Sequence, residues 1–169
     1  MTTVLFYILA GILLAATLMC ITRHNPVHAV VYLVAGFFAL ALIFYLLGAP
    51  LVAAWQVIVY AGAIMVLFLF IIMMLGLAPG ETPAGPGWLR WLPLALLSAS
   101  LMVCSLLLIL QDPLAGEAIG DYYLMPQELG AALFGRDALA VEIVSFQLLF
   151  ATIGAYLLGR PLPKGEDQG

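Results

Sequence analysis

The sequence predicts an all-α membrane protein with five transmembrane helices, and three observations carry that prediction. Hydrophobic residues make up 66% of the 169-residue chain and charged residues only 8%, with a mean hydropathy of +1.19. A soluble domain is about 45–50% apolar and about 25% charged, so a globule of this size has no core large enough for so much apolar side chain. The apolar residues fall into five runs, each close to the roughly 20 residues that a helix needs to cross a hydrocarbon core of about 30 Å. Proline, glycine and charged residues separate the runs. The same figures exclude a typical soluble enzyme and a disordered chain, and five Lys+Arg against nine Asp+Glu leave no basic surface for nucleic acid.

The first span is Thr3–Thr22. No Lys or Arg precedes it, it exceeds a signal-peptide core, and no A-x-A site follows, so it is read as part of the mature chain. Arg23-His24-Asn25-Pro26 stops it, and Pro26 suits the first turn of the next helix. The second span is Val27–Leu47, and Gly48-Ala49-Pro50 is read as a tight hairpin into the third, Leu51–Leu77. Six prolines and glycines between Ala78 and Arg90 mark that stretch as a loop. The fourth span is Leu92–Gln111, flanked at its start by the interface aromatics Trp88 and Trp91. The connection Asp112–Asp137 carries Asp112, Glu117, Asp121 and Glu128, and is read as a polar loop with a short interfacial helix near Pro126–Phe134. The fifth span is Leu139–Leu158, and Arg160–Gly169 is a polar tail. Residues 1–159 thus form one five-helix membrane domain.

Orientation follows from the distribution of Lys and Arg. With the N-terminus outside, Arg23, Arg90, Arg160 and Lys164 face the cytoplasm and only Arg136 faces out, which also leaves the C-terminus cytoplasmic. Small-residue pairs, Gly11 with Ala15 and Ala35 with Ala39, mark seams for close helix packing. Cys20 and Cys104 lie inside apolar runs and read as small buried hydrophobes.

An ionisable residue inside a membrane is costly and is a functional candidate by default. Glu142 is the one such residue here, about one turn into the fifth span. Ser145, Thr152 and Tyr156 fall on its side of the helix, making one polar stripe that should face protein or water. Two readings stand equal: a carboxylate on a proton or water pathway, and a shallow carboxylate packed against a partner's lysine or a helix N-terminus. The third span would be about 40 Å long as a straight helix, so it must tilt, kink or carry an irregular turn. At its middle, Gln56, Tyr60 and Ala63 share a helical face, and Ala61-Gly62-Ala63 admits a close backbone neighbour. Spacing alone favours simple packing with Tyr60 hydrogen-bonded to a neighbour; the other reading is a π-bulge, a feature frequent at functional sites. His24 and His28 lack the further ligands that a metal or haem would require and read as interfacial side chains. Nucleotide loops, nucleophile triads and iron–sulfur cysteine sets are absent from the sequence.

Three stretches together resemble a known family. They are Asn25-Pro26-Val27-His28-Ala29, the run from Val57 to Phe70 that reads Val-Ile-Val-Tyr-Ala-Gly-Ala-Ile-Met-Val-Leu-Phe-Leu-Phe, and Glu142-Ile143-Val144-Ser145 with Ile153-Gly154-Ala155. The chain resembles the family of subunit J of the bacterial proton-pumping NADH:quinone oxidoreductase, respiratory complex I, whose mitochondrial counterpart is NADH dehydrogenase subunit 6. The likeness covers all five spans. It implies a cofactor-free subunit of the membrane arm in the bacterial inner membrane, with FMN, iron–sulfur clusters and quinone held by partner subunits. It implies as neighbours the small subunit K, the quinone-site subunit and the antiporter-like subunits. It also implies a switchable π-bulge over Val59, Tyr60, Ala61, Gly62, Ala63, Ile64 and Met65, with Tyr60 and Gly62 pivotal, whose rotation makes or breaks a water wire between quinone cavity and pumping channels. Glu142 matches an acidic position common in the family.

The expected function is therefore to help couple quinone reduction to proton translocation, as a part of an enzyme and not as an enzyme alone. The alternatives are the homologous subunit of a ferredoxin- or deazaflavin-linked sister complex, an autonomous small transporter, and a passive scaffold. A transporter would call for a mid-membrane site on broken helices or repeats, and the sequence shows no internal repeat.

Overall fold

The computed structural model describes residues 2–76, 87–111 and 125–160. These contain five helices long and apolar enough to cross a membrane and, among the described residues, no strand. Chain contacts divide the protein into two units, Met1–Tyr123 and Leu124–Gly169. The expected loop at 77–86, the acidic stretch 112–124 and the tail 161–169 lie outside the described residues, as do the side chains of Trp88, Arg90 and Trp91.

In the first unit, α1 (Thr2–Thr22) and α2 (Pro26–Leu46) form an antiparallel pair. Asn25 starts α2: its side-chain Oδ1 accepts from the Val27 N–H at 3.0 Å, and Pro26 occupies the first helical position. α2 closes on Gly48, whose φ of +79° is open to glycine at little cost. The Ala49 N–H donates to the Phe44 carbonyl at 3.0 Å and the Gly48 N–H to that of Tyr45 at 3.1 Å. These two bonds make a Schellman cap, and Pro50 begins the third span directly after it.

The third span, Pro50–Met74, is not one regular helix. It comprises α3 (Pro50–Trp55), a π-helical segment (Gln56–Ile64) and α4 (Met65–Met74). It ends short of the expected Leu77, because Gly76 turns left-handed at φ +61° and its N–H caps the Met73 carbonyl. α5 (Gly87–Gln111) starts earlier than the expected Leu92. Pro93 near its start removes a single bond, the one to the Leu89 carbonyl, so the preceding residues stay helical.

The core of this unit is Leu9, Ile12 and Ala16 of α1 against Tyr32, Ala39 and Ile43 of α2, closed by Leu97 and Cys104 of α5. Spacings of three, four and seven put each set on one helical face. The α1–α2 seam runs past Gly36, where an added Cβ would lie 3.6 Å from the Leu13 side chain and 3.7 Å from that of Ala16. This corrects both expected small-residue pairs. Gly11 is exposed with open space beside it, Ala39 is fully buried in the seam, and Ala35 faces a cleft towards α5. Leu9, Ile12 and Ala16 supply the better face because they bury apolar area, which Gly11 lacks.

The second unit holds α6 (Pro126–Ala131), a π turn (Ala132–Arg136) and α7 (Ala138–Gly159). The Glu128 carboxylate accepts from the Met125 N–H at 3.3 Å, holding the start of α6. The Asp137 N–H donates to the Ala132 carbonyl at 3.0 Å, five residues back, which closes the π turn. The carbonyl of Asp137 then accepts from Ala140 at 3.0 Å and Val141 at 3.2 Å, starting α7.

Candidate functional site

The π segment changes which side chains meet α2. In a straight α-helix, Gln56, Tyr60 and Ala63 would share a face. Instead Gln56 and Ala61, five residues apart, are the two buried residues of the segment, each at 7% exposure. Tyr60 is 48% exposed, and Ala63 is exposed as well. A wider turn with i→i+5 bonding has this consequence, because one extra residue is accommodated in it. Downstream, the better-covered residues are Met65, Leu69 and Ile72, while Ile64, Phe68 and Ile71 are exposed. Restoring an α-helix while holding Pro50–Trp55 still would rotate everything after it by about 100°, one residue's worth. Ile64, Phe68 and Ile71 would then face α2.

The segment starts three residues before the Val59–Met65 stretch implied by the resemblance and ends one residue before it does. It includes Gln56, Val57 and Ile58 and leaves out Met65, the first residue of α4. The Met65 N–H is still directed to the Tyr60 carbonyl, five residues back, as well as to Gly62. The wide bonding therefore finishes on Met65 although the residue itself is α-helical.

Gly62 stands where this geometry is tightest. A Cβ added there would lie 3.3 Å from the Val57 carbonyl oxygen, again five residues back. The absent side chain lets the widened backbone pack on itself. Tyr60 is held from the other side: its ring and that of Phe37 on α2 have centroids 5.7 Å apart at 55°. Gln56 is the one buried polar side chain among the described residues. Its burial and the Phe37 contact are absent from the residues singled out by sequence; Gln56 was visible there only as a face-mate of Tyr60. Inside a bilayer a buried amide has to be satisfied within the protein, and irregular backbone at that depth is tolerated where it is itself buried in protein.

Glu142 lies on α7, in the second unit, with its side chain exposed. Ser145 and Thr152 share its stripe, but their hydroxyls donate to their own helix, to the Val141 and Leu148 carbonyls at 2.8 Å each. Glu142 is the one carboxylate of α7. Tyr60 and Gly62 belong to one unit and Glu142 to the other, so the structure holds a π-helical backbone element and, separately, an exposed acid on a regular helix.

The family model for NADH-ubiquinone/plastoquinone oxidoreductase chain 6 matches residues 16–158. A protein of Pseudomonas aeruginosa named NADH-quinone oxidoreductase subunit J is 42% identical over 158 residues, covering 92% of this chain and 95% of that one. Its namesake in Escherichia coli is 40% identical over 164 residues, covering 95% and 88%. NADH-quinone oxidoreductase subunit 10 of Thermus thermophilus is 37% identical over 158 residues, covering 89% and 85%.

Proposed function

Because the chain belongs to the NADH-ubiquinone/plastoquinone oxidoreductase chain 6 family, we propose that it is the membrane-arm subunit that helps couple quinone reduction to proton translocation through a switch in its third span. Members of this family act as subunits of NADH-quinone oxidoreductase, so the enzymatic role is that of the complex. The observation that carries the proposal is the π segment Gln56–Ile64 with Gly62 packed on the Val57 carbonyl. Two packings of one helix that differ by a single residue of register form a bistable element, and a gap of a few kcal/mol suffices for a partner's state to select one.

In this reading the chain holds no cofactor, while FMN, iron–sulfur clusters and quinone belong to partner subunits. Its neighbours are subunit K, the quinone-site subunit and the antiporter-like subunits. It sits in a bacterial inner membrane with its N-terminus outside and its C-terminus in the cytoplasm. Tyr60 turns with the switch and carries a hydroxyl into or out of a water path, and Glu142 contributes an acid near the membrane surface.

The test is Gly62→Val in the intact complex, in inverted membrane vesicles. A branched side chain against the Val57 carbonyl disfavours the π form. The expected result is an assembled complex that oxidises NADH but moves fewer protons per electron pair. Normal pumping by the assembled variant would sink the proposal, and loss of assembly alone would point to a passive scaffold.

A further inference from the structure

A cleft of about 480 Å³ lies between α2 and α5, with Val57 of the π segment at its floor. It runs from Val31 to Leu42 on α2 and from Leu94 to Ser105 on α5. Each is an eleven-residue step, about 16 Å of helix. That length matches one leaflet, half of a hydrocarbon core of about 30 Å. Spread over it, the cleft averages about 30 Å² in cross-section. A helix about 10 Å across needs about 80 Å², so a partner's helix does not fit between the walls. A single extended hydrocarbon chain does. The walls are apolar apart from Ser98 and Ser105, as such an occupant requires.

A charge stands at the level where the cleft begins. The Arg23 guanidinium carbon lies 5.3 Å from the ring centroid of Tyr32, the residue after Val31. This contact and a buried Nε without a hydrogen-bond partner turn one edge of the group inward. Among the described residues no carboxylate pairs with it.

We propose that this cleft binds an anionic phospholipid, with one acyl chain lying between α2 and α5 and the phosphate against Arg23. The site is independent of the coupling role and uses only the placement of these helices in a bilayer.

The test uses the intact complex in nanodiscs, with a phosphatidylglycerol carrying a photoactivatable group midway along one acyl chain. Adducts are expected on the cleft faces of α2 and α5, near Ala35 and Leu101. Filling the cleft by Ala35→Phe, or more gently by Ser98→Leu, should remove most of this labelling. Arg23→Gln should lower labelling about fivefold, the effect of one basic residue near an anionic surface, and should lower labelling by a phosphatidylcholine probe, whose own ammonium offsets the phosphate charge, by clearly less. Absence of adducts in the assembled wild-type complex would overturn the proposal and mean that a protein partner seals the cleft. Equal labelling after filling, or an equal Arg23→Gln effect on both probes, would also overturn it. If a filled variant does not assemble, the wild-type map and the choice between the two probes decide.

Discussion

Gly62 faces two opposed forces when it is changed to alanine. Alanine favours any helix over glycine by about 1 kcal/mol, yet its Cβ would press the Val57 carbonyl at 3.3 Å only while the turn is wide. Gly62→Ala therefore favours the α form selectively. In that form Ile64 turns towards α2 and Met65 turns away, so the oxygen accessibility of a spin label should fall at Ile64→Cys and rise at Met65→Cys. Unchanged accessibilities at both positions would show that the wide turn absorbs a methyl group. Tyr60 and Phe37 form the other residue-scale coupling. Ring pairs contribute about 0.5–1.5 kcal/mol beyond buried area. A double-mutant cycle with Tyr60→Leu and Phe37→Leu should give a coupling in that range when heat inactivation of the complex is followed, and a value near zero would mean that the rings merely coexist.

At the scale of the element, the α1–α2 seam and the polar stripe of α7 predict opposite sensitivities. Ala16 and Ala39 are fully buried where two backbones approach, and overpacking such a site costs about 1–3 kcal/mol. Ala39→Leu should therefore reduce assembled complex on a native gel, whereas Gly11→Leu, with open space beside it, should not. Glu142→Gln should leave the proton-to-electron ratio close to that of the wild type, because water can replace a shallow acid. Complete loss of proton transfer in assembled complex would give Glu142 an obligatory role. The spans themselves were readable from sequence because twenty apolar residues in a row admit few other structures, and Asn25-Pro26 and Gly48 announce their own caps. The faces were less readable. Assuming 3.6 residues per turn joined Gln56 to Tyr60, while the wide turn joins Gln56 to Ala61. Small size drew attention to Gly11, but burial is decided by what a side chain can fill, and Ile12 fills more. A π segment is a pattern of backbone bonds, so no residue type marks where it starts, and its extension back to Gln56 was not visible in the residues.

At the scale of the molecule, the exposed faces explain why the chain works in company. Val66, Leu67, Phe70 and Met73 of α4 are all at least 60% exposed, and on α7 only Val141 and Gly154 are partly covered. Such surfaces are stable against lipid or the helices of other subunits and unstable in water. Within this arrangement the cap at Gly48 has a mechanical meaning. Two hydrogen bonds of 3.0 and 3.1 Å and Pro50 tie the start of the third span to the end of α2, which restricts how far that end can turn. The proposed switch would then have a stator and a rotor: Pro50–Trp55 would stay put, and any twist released by the π segment would pass to Met65–Met74. Two glycines inserted after Ala49 would fit the stator with a slipping clutch, and the torque meant for the far half of the helix would be spent at the near end.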